Sequence, residues 1–174
     1  MVRGICRFEH DKLITLRAAT FIFIMAGLLS WLTSCTRLAS KPNYNDNKFK
    51  VGQIWNYKTR LGEENSKLTI LKVEKYDSAG IVIHVFLDNL KVKNSDSPNG
   101  FSDHIGHLPL SKEAMLKSIT TLVSQNNKLP AFQAGYNNWK EAFDSGKGGI
   151  FSVEVTDAVK YVEEVMNSGG RTEE

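Results

Sequence analysis

The residue types best suited to chemistry lie together in one segment, Asp103-His104-Ile105-Gly106-His107. Two imidazoles and a carboxylate are ligand types that zinc and copper accept. The two histidines are three positions apart around a glycine, and the sequence identifies no further strong ligand. The segment therefore supports a metal-binding hypothesis with Asp103, His104 and His107 as candidates. The plainer interpretation is that these are solvent-exposed or capping histidines.

Other titratable residues give weaker indications of chemistry. His84 falls in an apolar run with strand periodicity, so we expect a partly buried, hydrogen-bonded imidazole rather than a catalytic base. The pair Glu63-Glu64 is expected to solvate a turn or to pair with Arg60, and the pair Glu163-Glu164 to face solvent on a helix. Neither pair predicts the facing carboxylates of a glycosidase. No Gly-x-Ser-x-Gly motif is present, so the sequence assigns no catalytic residue.

A glycine-rich segment, Ser145-Gly146-Lys147-Gly148-Gly149, has the composition of a phosphate-binding loop. Such a loop follows a strand, precedes a helix and places Ser or Thr after the lysine. Here Gly148 follows Lys147, and the preceding segment has helical periodicity. We interpret the segment as a helix stop and turn, and we predict no cofactor.

The N-terminal segment has the pattern of an export signal. Four basic residues precede an apolar run over 18–32, which is shorter than the roughly 20 residues of a membrane-spanning helix. The run ends in Leu32-Thr33-Ser34-Cys35, which resembles the lipobox of bacterial lipoproteins. The resemblance implies that residues 1–34 are removed and that the lipidated Cys35 anchors the chain in a membrane. An uncleaved N-terminal membrane helix is the alternative.

The residues after Cys35 predict a tether and a location. The segment 36–50 is mostly polar, so residues 35–50 are interpreted as the lipidated N-terminus and a flexible linker. Thr36, rather than an aspartate, follows Cys35. By resemblance to enterobacterial sorting, this favours the outer membrane, facing the periplasm, over the inner membrane of the cell envelope.

Charge argues against nucleic acid as a partner, and cysteine content argues against a disulfide bond. The chain has 22 basic and 19 acidic residues, and removing the four basic and two acidic residues of 1–34 leaves 18 and 17. A nearly neutral chain lacks the concentrated basic surface that nucleic acid requires. Cys6 lies in the removed segment and Cys35 would carry lipid, so no disulfide is expected in the mature chain.

Residues 51–168 are long enough for one domain. Alternating apolar and polar residues predict strands over 51–60, 68–76 and 81–92, with a tight turn between the last two. We therefore expect an antiparallel meander. The polar segment 94–109 is expected to be a connection without regular structure.

Helical periodicity follows. Ser111 is expected to cap a helix whose apolar face continues through Ile119, Leu122 and Val123. A second helix is predicted over 130–143, where an aromatic stripe recurs at helical spacing and is interpreted as core. The stripe consists of Phe132, Tyr136, Trp139 and Phe143.

The last predicted elements complete a mixed fold. A strand over 150–155 and a helix over 157–166, capped by Thr156, precede a disordered tail at 169–174. Strands followed by helices predict an α+β domain, with an antiparallel sheet of about four strands and two to three helices packed on one face.

The body of the chain also resembles a group of small bacterial proteins. The similar segments are 52–60 (GQIWNYKTR), 62–70 (GEENSKLTI), 135–140 (GYNNWK) and 143–146 (FDSG). The resemblance covers most of residues 51–166 and implies one compact domain. It implies no particular activity.

These observations lead to a functional hypothesis. We expect a lipid-anchored envelope protein with a small non-catalytic domain that binds a protein or another envelope component. An immunity-type or inhibitor lipoprotein is one form of that class. The alternatives are a metal-dependent or hydrolytic envelope enzyme that uses Asp103, His104 and His107, and a structural envelope protein.

Overall fold

The computed structural model of the chain describes residues 40–41 and 43–168. The predicted signal segment, Cys35 and the predicted tail at 169–174 lie outside these residues. In chain order the strands are β1 (Ser40–Lys41), β2 (Gln53–Tyr57), β3 (Leu68–Tyr76), β4 (Gly80–Leu87), β5 (Val92–Lys93), β6 (Phe101–Ser102), β7 (Ile105–Ser111) and β8 (Ile119–Gln125). The helices are α1 (Lys112–Ser118), α2 (Gln133–Asp144) and α3 (Val155–Asn167). Among the described residues, no helix is both long and apolar enough to cross a membrane.

The main sheet has the order β7-β4-β3-β2-β8, and every pair of neighbours is antiparallel. Strand β1 pairs with the C-terminal end of β3, where Ser40 lies opposite Tyr76, and β2 pairs with its N-terminal end. Strands β5 and β6 form a separate two-stranded sheet. The predicted α+β class, with an antiparallel sheet of about four strands and two to three helices, is confirmed, since the described residues form an antiparallel sheet with five strands in line and three helices.

The two faces of the sheet are covered by different helices. On one face, side chains of β4 and β7 join residues of α1 and α3 in the main hydrophobic core. Successive side chains of a strand point to opposite faces, and Val82, one residue before the core residue Ile83, packs with Phe143 of α2. Helix α2 therefore lies on the face opposite the main core, whereas the sequence predicted all helices on one face.

The predicted helix from Ser111 is shorter than expected. Ser111 does cap it, since its Oγ accepts a hydrogen bond from the Ala114 N–H at 3.1 Å, but α1 ends at Ser118. Residues 119–125 form β8 instead, an edge strand paired with β2. Its residues Ile119, Thr120, Thr121 and Val123 are β-branched, which favours a strand. The prediction that Ile119, Leu122 and Val123 extend a helix is therefore wrong.

Three other predictions of local structure need correction. The connection over 94–109 contains β6 and most of β7. The segment 150–155 forms no strand, because only Phe151 bridges to Leu110 before the chain enters α3. Helix α3 starts at Val155 rather than after Thr156, and the Ser118 Oγ accepts the Val155 N–H at 2.9 Å.

The predicted linker is partly folded. Phe49 is buried, Tyr44 packs against the main core, and the Tyr44 N–H donates to the Val73 carbonyl at 2.9 Å. Asp46 is buried, accepts the N–H groups of Lys48 and Phe49, and pairs with Lys112 at 2.5 Å. Residues 43–50 thus belong to the domain that the sequence placed from residue 51 onward.

Candidate functional site

The most unusual buried group is Glu74, which lies on β3 with a relative exposure of 1%. Its Oε1 atom lies 2.9 Å from the Lys72 Nζ, and its Oε2 atom accepts hydrogen bonds from the Tyr76 hydroxyl at 2.9 Å and the His84 Nε2 at 3.1 Å. The Tyr136 hydroxyl lies 3.1 Å from both oxygens and 2.7 Å from the Lys72 Nζ. Four side chains from β3, β4 and α2 therefore surround one carboxylate.

A second imidazole extends this network toward the surface. The His84 ring on β4 is fully buried, and its Nδ1 lies 2.9 Å from the Nε2 of His107 on β7. The two rings are stacked, with an interplanar angle of 18°. Glu74, His84 and His107 thus form one hydrogen-bonded line across three neighbouring strands.

The charges along this line fix its protons. Burial alone would raise the pKa of Glu74, but hydrogen bonds from His84, Lys72 and Tyr76 outweigh it and lower the pKa to about 2. Burial lowers the pKa of His84, and burial with the neighbouring His84 lowers the pKa of His107 to about 4. At neutral pH the carboxylate is ionised and both imidazoles are neutral.

That charge state assigns the tautomers. The carboxylate requires a donor, so the His84 Nε2 carries hydrogen and its Nδ1 accepts. The His107 Nε2 must then donate, which leaves the His107 Nδ1 as an acceptor. Within the described part of the chain, that nitrogen makes no hydrogen bond, and it is not a buried unsatisfied atom. The line therefore ends in one acceptor that solvent or a ligand can reach.

Helix α2 covers the network with the predicted aromatic stripe. Tyr136 and Phe143 are buried, as expected for core residues, but Phe132 and Trp139 are half-buried. The Trp139 ring centroid lies 4.7 Å from that of His84. Gly135 permits the close approach of α2 to β7, because a Cβ atom at this position would lie 3.0 Å from the Cβ of His107. The stripe is therefore partly core and partly the wall of a site.

An open cleft of about 1200 Å³ lies along the edge strand β7, beyond His107. Residues of β7 and α2 and the segment 149–151 line it, together with Tyr161, Val162 and Met166 of α3. None of the described residues that line it is Asp, Glu, Lys or Arg. Since 24% of the chain is charged, an uncharged cleft of this size is a distinct surface.

The predicted metal candidates do not converge. His104 and Asp103 form a hydrogen bond of 2.6 Å, with 55% and 87% of their side chains exposed, and His104 stacks on Phe86. His107 instead turns toward His84. Across residues 40–41 and 43–168, no three His, Cys, Asp or Glu side chains are placed to hold a metal ion. The enzyme hypothesis based on Asp103, His104 and His107 thus lacks a shared site in the structure.

The structure also places the two glutamate pairs and the glycine-rich segment that the sequence analysis considered. Glu63 is buried and pairs with Arg60 at 2.5 Å, as expected. Glu163 was expected to face solvent. Instead, only 21% of its side chain is exposed, and the Arg60 guanidinium contacts it at 2.8 Å. Lys147 lies in the turn after α2, where its N–H donates to the Ala142 carbonyl, so the helix-stop interpretation is confirmed.

Comparisons with known proteins give no relative from which a role could be carried over. No protein-family model, no curated protein and no solved structure matches this chain. The site must therefore be interpreted from its own geometry.

Sequence reasoning missed Glu74, Lys72 and Tyr136 as members of one site. Lys72 and Glu74 alternate with apolar residues, a pattern that normally marks the solvent-facing side of a strand. His84 was expected to be partly buried and hydrogen-bonded, and it is fully buried with two partners. The available signal was the aromatic stripe of α2, which needed an apolar surface to cover.

Proposed function

We propose that this chain is a lipid-anchored protein of the bacterial cell envelope whose domain binds a partner in the cleft along β7 without transforming it. The observation that carries the proposal is the chemical character of the cleft. Its lining contains no Asp, Glu, Lys or Arg and is rich in apolar side chains, while Glu74, His84 and His107 are hydrogen-bonded to one another. An immunity-type or inhibitor lipoprotein would need only such an anchored binding face.

The non-catalytic part of the proposal rests on the state of His107. A general base works best when its pKa is near the working pH, and burial lowers the pKa of His107 to about 4. The described residues that line the cleft include no Cys. The one serine among them, Ser102, accepts a hydrogen bond from the Asn94 side chain at 2.8 Å. The cleft thus offers contact area and a hydrogen-bond acceptor rather than an activated nucleophile.

Anchoring is tested with the full-length chain and a Cys35→Ala variant expressed in a Gram-negative bacterium. We expect the wild type to lose residues 1–34, to gain acyl mass by intact mass spectrometry and to fractionate with membranes. The variant should do none of these. If both proteins keep residues 1–34, the lipoprotein proposal is wrong and the segment 18–32 is an uncleaved anchor.

Binding is tested by photo-crosslinking in cells. A benzophenone amino acid replaces Ala131 in the cleft wall or Thr121 on β8, which lies at the opposite edge of the sheet. We expect a crosslinked product from position 131 that disappears when Ala134→Trp fills the cleft. A product from position 121 alone, or none from either position, contradicts binding in the cleft.

A further inference from the structure

The outer edge of β7 carries backbone groups that point into the cleft. The Ser111 N–H donates to the Phe151 carbonyl and the Phe151 N–H donates to the Pro109 carbonyl, both at 2.9 Å. Residues 109 and 111 therefore direct their backbone groups away from β4. Backbone direction repeats every second residue in a regular strand, and this alternation would direct the N–H and C=O of His107 outward as well. The β4–β7 register is irregular between the pairs Val85–Leu108 and Leu87–Ile105, so Gly106 and His107 lie at this irregularity. Leu108 lies between His107 and Pro109 and pairs with Val85 of β4.

The chain itself already places a short segment on this edge. Phe151 forms a parallel bridge with Leu110, so an extended backbone fits beside β7 at this position. The segment does not continue along the edge, because the Trp139 Nε1 donates to the Gly149 carbonyl at 2.8 Å beside α2. Among the described residues, β7 has β4 as its only strand neighbour, so the edge beside residues 105–107 has no strand on it.

The two helices form side walls that suit the side chains of an added strand. An extended segment on β7 would direct alternate side chains to opposite faces of the sheet. One set would point toward Ala134 and Trp139 of α2, and the other toward Val162 and Met166 of α3. Because both walls lack charged residues, a charged side chain would lose hydration there without gaining a partner.

We propose that the cleft takes an extended, uncharged peptide segment of a partner protein as an additional strand on the free edge of β7. This inference rests on the proposed function, since it names the partner for the same cleft. Backbone hydrogen bonds to His107 supply affinity, and the apolar walls select the side chains, as in other cases of strand addition. The opposite edge strand, β8, offers backbone groups too, but its side chains from Thr120 to Gln125 are exposed and no wall of the cleft lies beside it.

The test uses the lipidated full chain in lipid nanodiscs and a pool of capped hexapeptides built from Val, Ile, Phe, Thr and Ser. Retained peptides are identified by affinity selection and mass spectrometry. We expect retention on the wild type and on Asn138→Trp, and loss on Ala134→Trp. Both variants add a ring to an exposed position of α2, but only position 134 lines the cleft.

Two further measurements separate strand addition from simple apolar binding. N-methylation of alternate peptide nitrogens keeps the side chains and removes backbone donors, so we expect at least about ten-fold weaker binding. Bound peptide should also slow hydrogen exchange of the His107 amide at least about ten-fold. Equal binding of the N-methylated peptide overturns the inference, because the ligand would then be recognised by its side chains alone.

The outcomes distinguish the inference from the proposed function. If the crosslink from position 131 forms but no hexapeptide is retained at about 100 µM, strand addition is wrong and binding in the cleft stands. If the crosslinked product is a small molecule rather than a protein, the same conclusion holds. If neither a crosslink nor a retained peptide is found, both are wrong.

Discussion

At the scale of single residues, Glu74 determines how the site is held. Its carboxylate is buried and connects Lys72 and Tyr76 of β3, His84 of β4 and Tyr136 of α2. A buried charge costs several kcal/mol unless it is fully paired. Here every partner is a donor, so the arrangement depends on the negative charge as well as on the shape of the side chain.

We expect Glu74→Gln to lower the free energy of unfolding by about 3–5 kcal/mol, because it removes the charge that Lys72 faces and places an amide N–H₂ among donors. Urea denaturation measures this change. The matched control is Glu141→Gln at an exposed position of α2, which we expect to stay within about 0.5 kcal/mol of the wild type. Equal effects of the two substitutions would mean that Glu74 does not organise the site.

The residue scale also marks a limit of sequence analysis. The sequence identified His107 and His84 as residues of interest, but it grouped His107 with Asp103 and His104, its neighbours in the chain. The structure joins His107 to His84 and Glu74 because β3, β4 and β7 lie side by side. Sheet register is a tertiary property, so spacing along one chain could not indicate this line.

At the scale of elements, Ser118 joins two helices. Its side chain is buried, its Oγ donates to the Ala114 carbonyl at 2.8 Å and accepts the Val155 N–H at 2.9 Å. Glu154, at the N-cap position of α3, forms no side-chain cap. Ser118 therefore ends α1 and satisfies the first N–H of α3 from a distant part of the chain.

We expect Ser118→Ala to lower the free energy of unfolding by about 1–2 kcal/mol, since it leaves the buried Val155 N–H without an acceptor. The control is Ser145→Ala, whose hydroxyl bonds to the Ala142 carbonyl at an exposed position, where water replaces the lost bond. Thermal unfolding compares the two variants. A smaller loss for Ser118→Ala than for Ser145→Ala would contradict the capping role.

The same boundary explains why β8 was predicted as helix. The spacing of Ile119, Leu122 and Val123 continues the apolar pattern of α1, so periodicity alone favours one long helix. Strand pairing with β2 decides otherwise, and Gly52 makes that pairing possible. Its φ is +84°, and a Cβ atom there would lie 2.1 Å from the Asn126 carbonyl oxygen. By contrast, β3 was predicted with its observed bounds, because Leu71 and Val73 alternate with Lys72 and Glu74 at strand period.

At the scale of the whole molecule, the network links stability to pH. The pKa values of His84 and His107 are lower in the folded chain than their ordinary value of 6.5, so the unfolded chain binds more protons below that pH. The free energy of unfolding therefore falls as the pH drops from about 6.5 toward 4. Glu74, with its pKa lowered from 4.5 to about 2, continues the loss from pH 4.5 toward 2.

We expect His107→Gln to flatten this dependence between pH 6.5 and 4 by up to about 1.4 kcal/mol per pH unit, because one proton fewer separates the unfolded from the folded state. The glutamine amide keeps a donor for the His84 Nδ1. Urea denaturation at pH 4, 5, 6 and 7 gives the slope. A slope equal to that of the wild type would show that His107 does not contribute to the acid sensitivity.

Because the folded domain begins by Ser40, its distance from Cys35 is limited. Ser40 in β1 is paired with β3 of the sheet, and it lies five positions after Cys35 in the sequence. A fully extended chain covers at most about 3.3–3.6 Å per residue, so this stretch spans at most about 17 Å. If Cys35 is embedded among lipid headgroups, the domain stands directly on the membrane that carries it. A partner must then come to that surface, since the anchored domain cannot extend across the envelope to meet it.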